Sequence, residues 1–195
     1  MTDIETHPLE PFVPHQAKLL MLGSFPPPKA RWKMDFYYPN FQNDMWKIYG
    51  LIFFQDPHYF LDRENKQFKV QMLKDFLNEL GIAIFDTAYQ VRRLKDNASD
   101  QFLEIVTPTD MFLLLKKIPY CRDIITTGDK ATETLLKSMN ASVHTKVKMG
   151  TVVDLQFDNK DIRIHRMPSS SRAYPLALEK KAEYYRELFQ SIGLI

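Results

Sequence analysis

Leu19-Leu20-Met21-Leu22-Gly23-Ser24-Phe25-Pro26 is a short apolar run cut off by a glycine and then by prolines. A continuous run of this length, ended by a turn residue, has the pattern of a strand buried on both faces. Pro26, Pro27 and Pro28 each fix φ and remove a donor, so the strand stops there. The same pattern returns at Ile82-Ala83-Ile84-Phe85, ended by Asp86-Thr87, and at Asp123-Ile124-Ile125-Thr126-Thr127, ended by Gly128. Between these runs the period changes from strand to helix. Phe68, Met72, Leu73, Phe76, Leu77 and Leu80 share one face of a helix over 66–80, with Gly81 at its C′ position. A second helix is expected over about 129–139.

Strands alternating with helices imply an α/β sandwich with a mainly parallel sheet. Residues 151–157 and 161–167 read as a hairpin around Asp158-Asn159-Lys160-Asp161, feeding a last strand into Met167-Pro168-Ser169-Ser170-Ser171-Arg172. A helix over 176–192, with Leu178, Ala182, Tyr185, Phe189 and Ile192 on one side, closes the chain. The expected architecture is one domain over 1–195, a three-layer sandwich around a mainly parallel four-stranded sheet. Pro8, Pro11 and Pro14 mark 1–17 as an extended N-terminal arm on the surface.

Other segments are less decided. Residues 24–44 form a long connection, and its Trp32, Phe36, Tyr37, Tyr38 and Phe41 argue against disorder. Residues 45–54 suit a helix or a strand. Residues 55–65 look like a loop. Residues 88–104 combine a basic loop (Arg92, Arg93, Lys95) with a polar stretch through Asn97. Thr107 can cap a helix, with Pro108 in its first turn and Asp110 favouring the dipole.

The 195 residues are 45% hydrophobic, enough for one packed core. No stretch approaches the ~20 apolar residues of a membrane helix, so no membrane partner is expected. The N-terminus lacks a secretory pattern, and the single Cys121 excludes an internal disulfide or a cysteine-built metal site, so a reducing cytoplasm is expected. His7, His15, His58 and His144 are scattered without metal-ligand spacing. A net charge of +2 says little about partners.

Open parallel sheets bind ligands beyond the carboxyl ends of their strands. Gly23-Ser24, Asp86, Gly128 and Met167–Arg172 are therefore expected to converge. Nearby aromatic and amide side chains suit a planar, hydrogen-bonding ligand.

These segments together resemble the uracil-DNA glycosylase superfamily, nearest its hypoxanthine-DNA and mismatch-specific branches. Gly23-Ser24-Phe25-Pro26, then Tyr37-Tyr38 and Asn43-x-x-Trp46, is similar to its first motif. Gly81 to Ala88 with Arg92-Arg93 resembles the base-reading segment, and Ile125-Thr126-Thr127-Gly128 with Ala131 the third-strand segment. Met167-Pro168-Ser169-Ser170-Ser171 resembles the C-terminal motif. The matches run in order over about residues 18–190.

The resemblance implies a monofunctional DNA repair glycosylase, without metal or cofactor, acting as a monomer on double-stranded DNA with a damaged or mismatched base. It makes Asn43 and Ser24 catalytic, with Asn40 the alternative if the loop register slips. Gly23, Phe25, Phe41 and Asp86 would bind the base, with Phe25 or Phe41 stacking on it. Ser169, Ser170, Ser171 and Arg172 would grip DNA, and Arg172 or Tyr174 would fill the stack. Asp86 stands where other branches carry Asn. An ionised carboxylate only accepts hydrogen bonds, favouring the ring N–H of hypoxanthine, uracil or thymine. Asp86 could instead serve a backbone group or an arginine. Met167 stands where the best-known members carry His, with His165 two residues earlier on the same strand face. A silent nucleic-acid binder and a nucleoside hydrolase are the alternatives.

Overall fold

The computed structural model describes residues 3–95, 100–141 and 147–195; Asn97 and His144 lie outside them. The elements run β1 (Ile4–Thr6), β2 (Leu19–Gly23), α1 (Met45–Phe54), β3 (Leu61–Asp62), β4 (Gln67–Phe68), α2 (Val70–Leu80), β5 (Ile82–Asp86), β6 (Ala88–Arg93) and β7 (Leu103–Pro108). Then follow α3 (Met111–Lys117), β8 (Asp123–Thr127), α4 (Asp129–Ser138), β9 (Val152–Phe157), β10 (Lys160–Met167) and α5 (Leu178–Ser191).

The main sheet has five strands in the order β5-β2-β8-β10-β9. The first four are mutually parallel and β9 runs antiparallel to β10. The expected four-stranded sheet is thus extended to a mixed, five-stranded one, because the β9–β10 hairpin adds both arms. Its turn carries Asp158 and Asn159 at φ 49° and 59°. Two left-handed residues in succession match the twist a tight hairpin needs, and Asp and Asn tolerate them best.

β2, β5 and β8 are buried at every residue, so the sheet is covered on both faces. Residues in register across a parallel ladder share a face, and successive residues alternate. Met21 pairs with Ile125, and Thr126 therefore faces the other way. Tyr49 of α1 donates to Met21 Sδ, while Thr132 of α4 hydrogen-bonds Thr126 at 2.7 Å. Helices α1 and α4 thus flank opposite faces. Tyr49 also meets Phe76 of α2 and Phe189 of α5, which places these two helices on the α1 side.

A second sheet, β1-β6-β7, occupies residues read from sequence as arm and basic loop. β1 pairs antiparallel with β6, His7 is buried, and Phe12 exchanges both main-chain hydrogen bonds with Ile84 of β5. The arm is therefore stitched into the fold rather than laid on its surface. Thr107 does not cap a helix; it lies within β7, and its hydroxyl donates to Gln90 Oε1. The cap of α3 is Asp110, whose carboxylate accepts from Leu113 N–H. Residues 55–65, expected as a loop, include β3, which pairs with β4 in a small hairpin. Gly81 does close α2 in the left-handed conformation, at φ 69°.

Candidate functional site

The four parallel strands end on the same side of the sheet, and their carboxyl ends frame one cleft. It spans about 850 Å³ including its solvent mouth. β2 delivers Gly23 and Ser24, β5 delivers Asp86, β8 delivers Thr127, and the segment after β10 delivers Ser169–Ser171. The connection 24–44 folds over it with Phe25, Tyr37, Tyr38, Asn40 and Asn43.

Asp86 is almost wholly buried, and its Oδ2 lies 2.9 Å from His7 Nε2. Its Oδ1 takes no hydrogen bond from any described residue. That oxygen stands over the Gly23 Cα: a β-carbon at Gly23 would sit well inside contact distance of it, and 3.4 Å from the Tyr38 hydroxyl. Glycine is required there by close approach, not by backbone angle.

The Tyr38 hydroxyl is 3.2 Å from Thr127 Oγ1. Burial, reinforced by the Asp86 charge, pushes the Tyr38 phenol well above its ordinary range, so it stays neutral. The same two causes raise Tyr37. Tyr38 also adopts φ 52°, unusual for a bulky residue, which turns the chain so that its ring reaches the strand ends.

Asn43 lines the cleft, and its Oδ1 accepts the Met45 N–H at 2.9 Å, at the start of α1. This bond fixes the amide, and a second lone pair remains on the oxygen. Asn40, the register alternative, also lines the cleft, with its Oδ1 taken by Gln42 N–H. The Ser24 hydroxyl donates to Asp100 Oδ2 at 2.5 Å. Asp100 faces the same cleft. Burial is the first cause that lifts its carboxyl above the ordinary range; the Ser24 bond opposes it and the Asp86 charge adds to it.

The three serines do not all present free hydroxyls. Ser169 Oγ accepts from Ser171 N–H, and Ser171 Oγ from Ala173 N–H, which tightens the turn. Their carbonyls tie this turn to the first motif. Asp44 N–H donates to Ser170 O at 2.9 Å. Lys181 Nζ, from α5, donates to both Asp44 Oδ2 and Ser171 O at 2.8 Å. The Lys181 side chain is 1% exposed.

Gly23, Ser24, Phe25, Asn43, Asp86 and Ser169–Ser171 are thus brought together. Phe41 is not among the lining residues; its ring packs 5.5 Å from Phe68 against the core. Arg172 is exposed beyond the cleft. His165 is bonded to Asp123 at 2.7 Å and borders a different cavity, beside Gly150 and Tyr184.

His7, Asp100 and Lys181 bear on the cleft without a local signal in the sequence. Tyr38 belongs to the aromatic pair of the first motif, and Arg31 to a basic cluster with Lys29 and Lys33 that reads either as DNA-facing or as a solvated loop; both line the cleft. No group of metal-ligating side chains occurs among the described residues. No described helix is long and apolar enough to cross a membrane.

A scan against protein-family models finds no match. No curated protein matches the chain. Among solved structures, the chain is similar to a candidate uracil DNA glycosylase from Methanosarcina acetivorans, determined by solution NMR. The TM-score is 0.59 at 20% identity, covering 95% of this chain and 99% of that one. The two share an α/β fold, and this chain has a uracil-DNA-glycosylase-like fold.

Proposed function

We propose that the protein is a monofunctional DNA glycosylase that hydrolyses the N-glycosidic bond of a flipped, deaminated or mispaired base. The observation that carries this reading is the Asp86 Oδ1, an acceptor left open in a cleft at the strand ends beside Asn43 and Ser169–Ser171. Such an acceptor suits the ring N–H of hypoxanthine, uracil or thymine and repels the lone pair that adenine or cytosine would present. A base within a duplex must leave the stack to reach such a cleft, at a cost of a few kcal/mol that falls at mismatches.

In the reaction the sugar–base bond breaks with its electron pair leaving on the base. Positive charge builds on the sugar, where the DNA's own phosphates stabilise it. A water oxygen bonds to the sugar carbon, and its proton passes to the departing base or to solvent. Asn43 orients this water through the remaining lone pair of its oxygen; a neutral amide does not take the proton. Donors near Ser24 and Ser169 meet the charge on the base. Phe25 stacks on the base, with its ring steadied by Arg93, whose guanidinium carbon is 5.7 Å from the ring centre. Ser169–Ser171, Arg172 and Arg31 contact phosphates, which position the duplex without reading sequence. Lys181 Nζ is committed to Asp44 and Ser171 O, so it offers no amine for a Schiff base.

A silent nucleic-acid binder is the second reading, favoured by the engagement of the Asn43 oxygen with Met45 N–H. Duplexes carrying hypoxanthine, uracil or thymine opposite each normal base, followed by alkaline cleavage of abasic sites, separate the two. Release that disappears in Asn43→Ala supports the enzyme. Tight binding without release at high protein supports the silent binder, and release from free nucleosides alone supports a nucleoside hydrolase.

A further inference from the structure

His7 comes from the far end of the chain, yet its side chain is 0% exposed and sits under the cleft. Both ring nitrogens are held. Nε2 is 2.9 Å from Asp86 Oδ2, while Nδ1 lies 2.8 Å from Leu9 O and 3.2 Å from Leu9 N. The ring is packed on Phe85, at 4.5 Å between centres, and lies edge-on to Phe25 at 5.4 Å. It stacks with Tyr37 at 6.2 Å. The imidazole therefore has one orientation, set by the Leu9 main chain and three aromatic rings. In turn it sets the orientation of Asp86.

That coupling has a chemical consequence. A carboxylate buried beside Gly23 has no use for two open acceptors, because a ring N–H presents one donor. His7 occupies Oδ2, and the space above Gly23 receives Oδ1. An ionised carboxylate only accepts, so Nε2 must carry the proton in this pair. Leu9, from the same arm, lines the cleft itself.

We propose that His7 is a positioning residue for base selection, holding Asp86 so that Oδ1 alone meets the base, with the N-terminal arm forming the pocket's floor. The proposal rests on the glycosylase reading above. Without the Nε2–H donor, Asp86 swings, and Oδ1 loses its fixed place above Gly23. The preference for bases with a ring N–H then weakens.

The test uses the full chain and duplexes containing hypoxanthine or uracil. His7→Asn is too short to reach Asp86, whereas His7→Gln places an amide N–H close to the Nε2 position. The Asn variant should lose about 10- to 100-fold in kcat/KM, the scale of a lost hydrogen bond to a charged group. The Gln variant should recover most of it at equal thermal stability. In an Asp86→Asn background, His7→Asn should cause no further loss.

Wild-type release with an unaffected His7→Asn variant overturns the inference. So does an equal loss in the Asn and Gln variants, or a full additional loss in the Asp86→Asn background. If the wild-type protein releases no base from any duplex, the glycosylase reading itself fails, and the two failures are told apart by that control.

Discussion

Lys181→Met would remove the buried ammonium that bridges Asp44 and Ser171. The Lys181 side chain is 1% exposed and that of Asp44 13%, so the pair lies largely outside solvent screening. Breaking a buried pair by removing one partner typically costs ~3–5 kcal/mol, since the other charge stays behind. Asp44 retains a weaker neighbour, Lys47 Nζ at 3.4 Å, which puts the expected cost at the lower end, about 3 kcal/mol. At ~2–4 °C per kcal/mol for a domain of this size, the midpoint should fall by roughly 6–12 °C.

Thermal unfolding followed by circular dichroism reads this directly, with urea unfolding as a check. The decisive comparison is with Asp44→Asn/Lys181→Met. Neutralising the stranded carboxylate should make the double variant more stable than Lys181→Met alone. The reasoning is refuted if the double variant is no more stable, or if Lys181→Met loses less than about 1 kcal/mol. Base release should also drop in Lys181→Met, because the same ammonium ties the Asn43–Asp44 segment to the Ser169–Ser171 turn.

Gly23→Ala drives a methyl into Asp86 Oδ1, which cannot withdraw without straining its bond to His7. The expected cost is about 1–3 kcal/mol of overpacking, with base release lost more severely than stability; unchanged activity would refute the close approach. Asp100 has a raised carboxyl pKa, so the native state keeps a proton that the unfolded chain has given up. Its contribution to stability falls as pH rises from the ordinary carboxylate range toward the raised value, and Asp100→Asn should gain on the wild type over that span. A stability difference that is flat across that span would contradict this. Asp123 shifts the opposite way: burial raises its pKa, but the bonds from His165 and Arg163 outweigh it and hold the carboxyl low. Its contribution is present above the ordinary carboxylate range and lost as pH falls through the lowered value, so Asp123→Asn should cost ~1.5–3 kcal/mol at neutral pH and progressively less in acid.

The strands that frame the cleft were legible because each is a closed apolar run with a turn residue behind it. Leu19–Gly23 and Ile82–Asp86 end in the structure where the sequence breaks. The segment 88–108 was not legible. β6 and β7 alternate around charged residues such as Arg92 and Glu104, which pair across the ladder at 2.7 Å and read individually as a polar loop. Met45–Phe54 had no clean period because its apolar residues surround the helix, with Trp46 and Tyr49 in the core and Phe53 and Phe54 against other rings.

At the site, Gly23, Asn43, Asp86 and the serines lie within recognisable local patterns. His7, Asp100 and Lys181 do not, since each meets its partner across 79, 76 or 137 positions of sequence. Nothing in the composition around Lys181 distinguishes it from Lys180, which lies exposed beside Glu183.

The exchange of hydrogen bonds between Phe12 and Ile84 bears on solubility. β5 is the outermost strand at its end of the main sheet, and Ile82-Ala83-Ile84-Phe85 is an apolar, β-prone segment. An uncovered edge of that kind is a template for pairing with another chain. Phe12 occupies both outward main-chain groups of Ile84, so the arm that serves the cleft through His7 and Leu9 also shields the sheet from a second copy of itself. Loss of the arm should therefore appear as concentration-dependent light scattering as well as altered base preference.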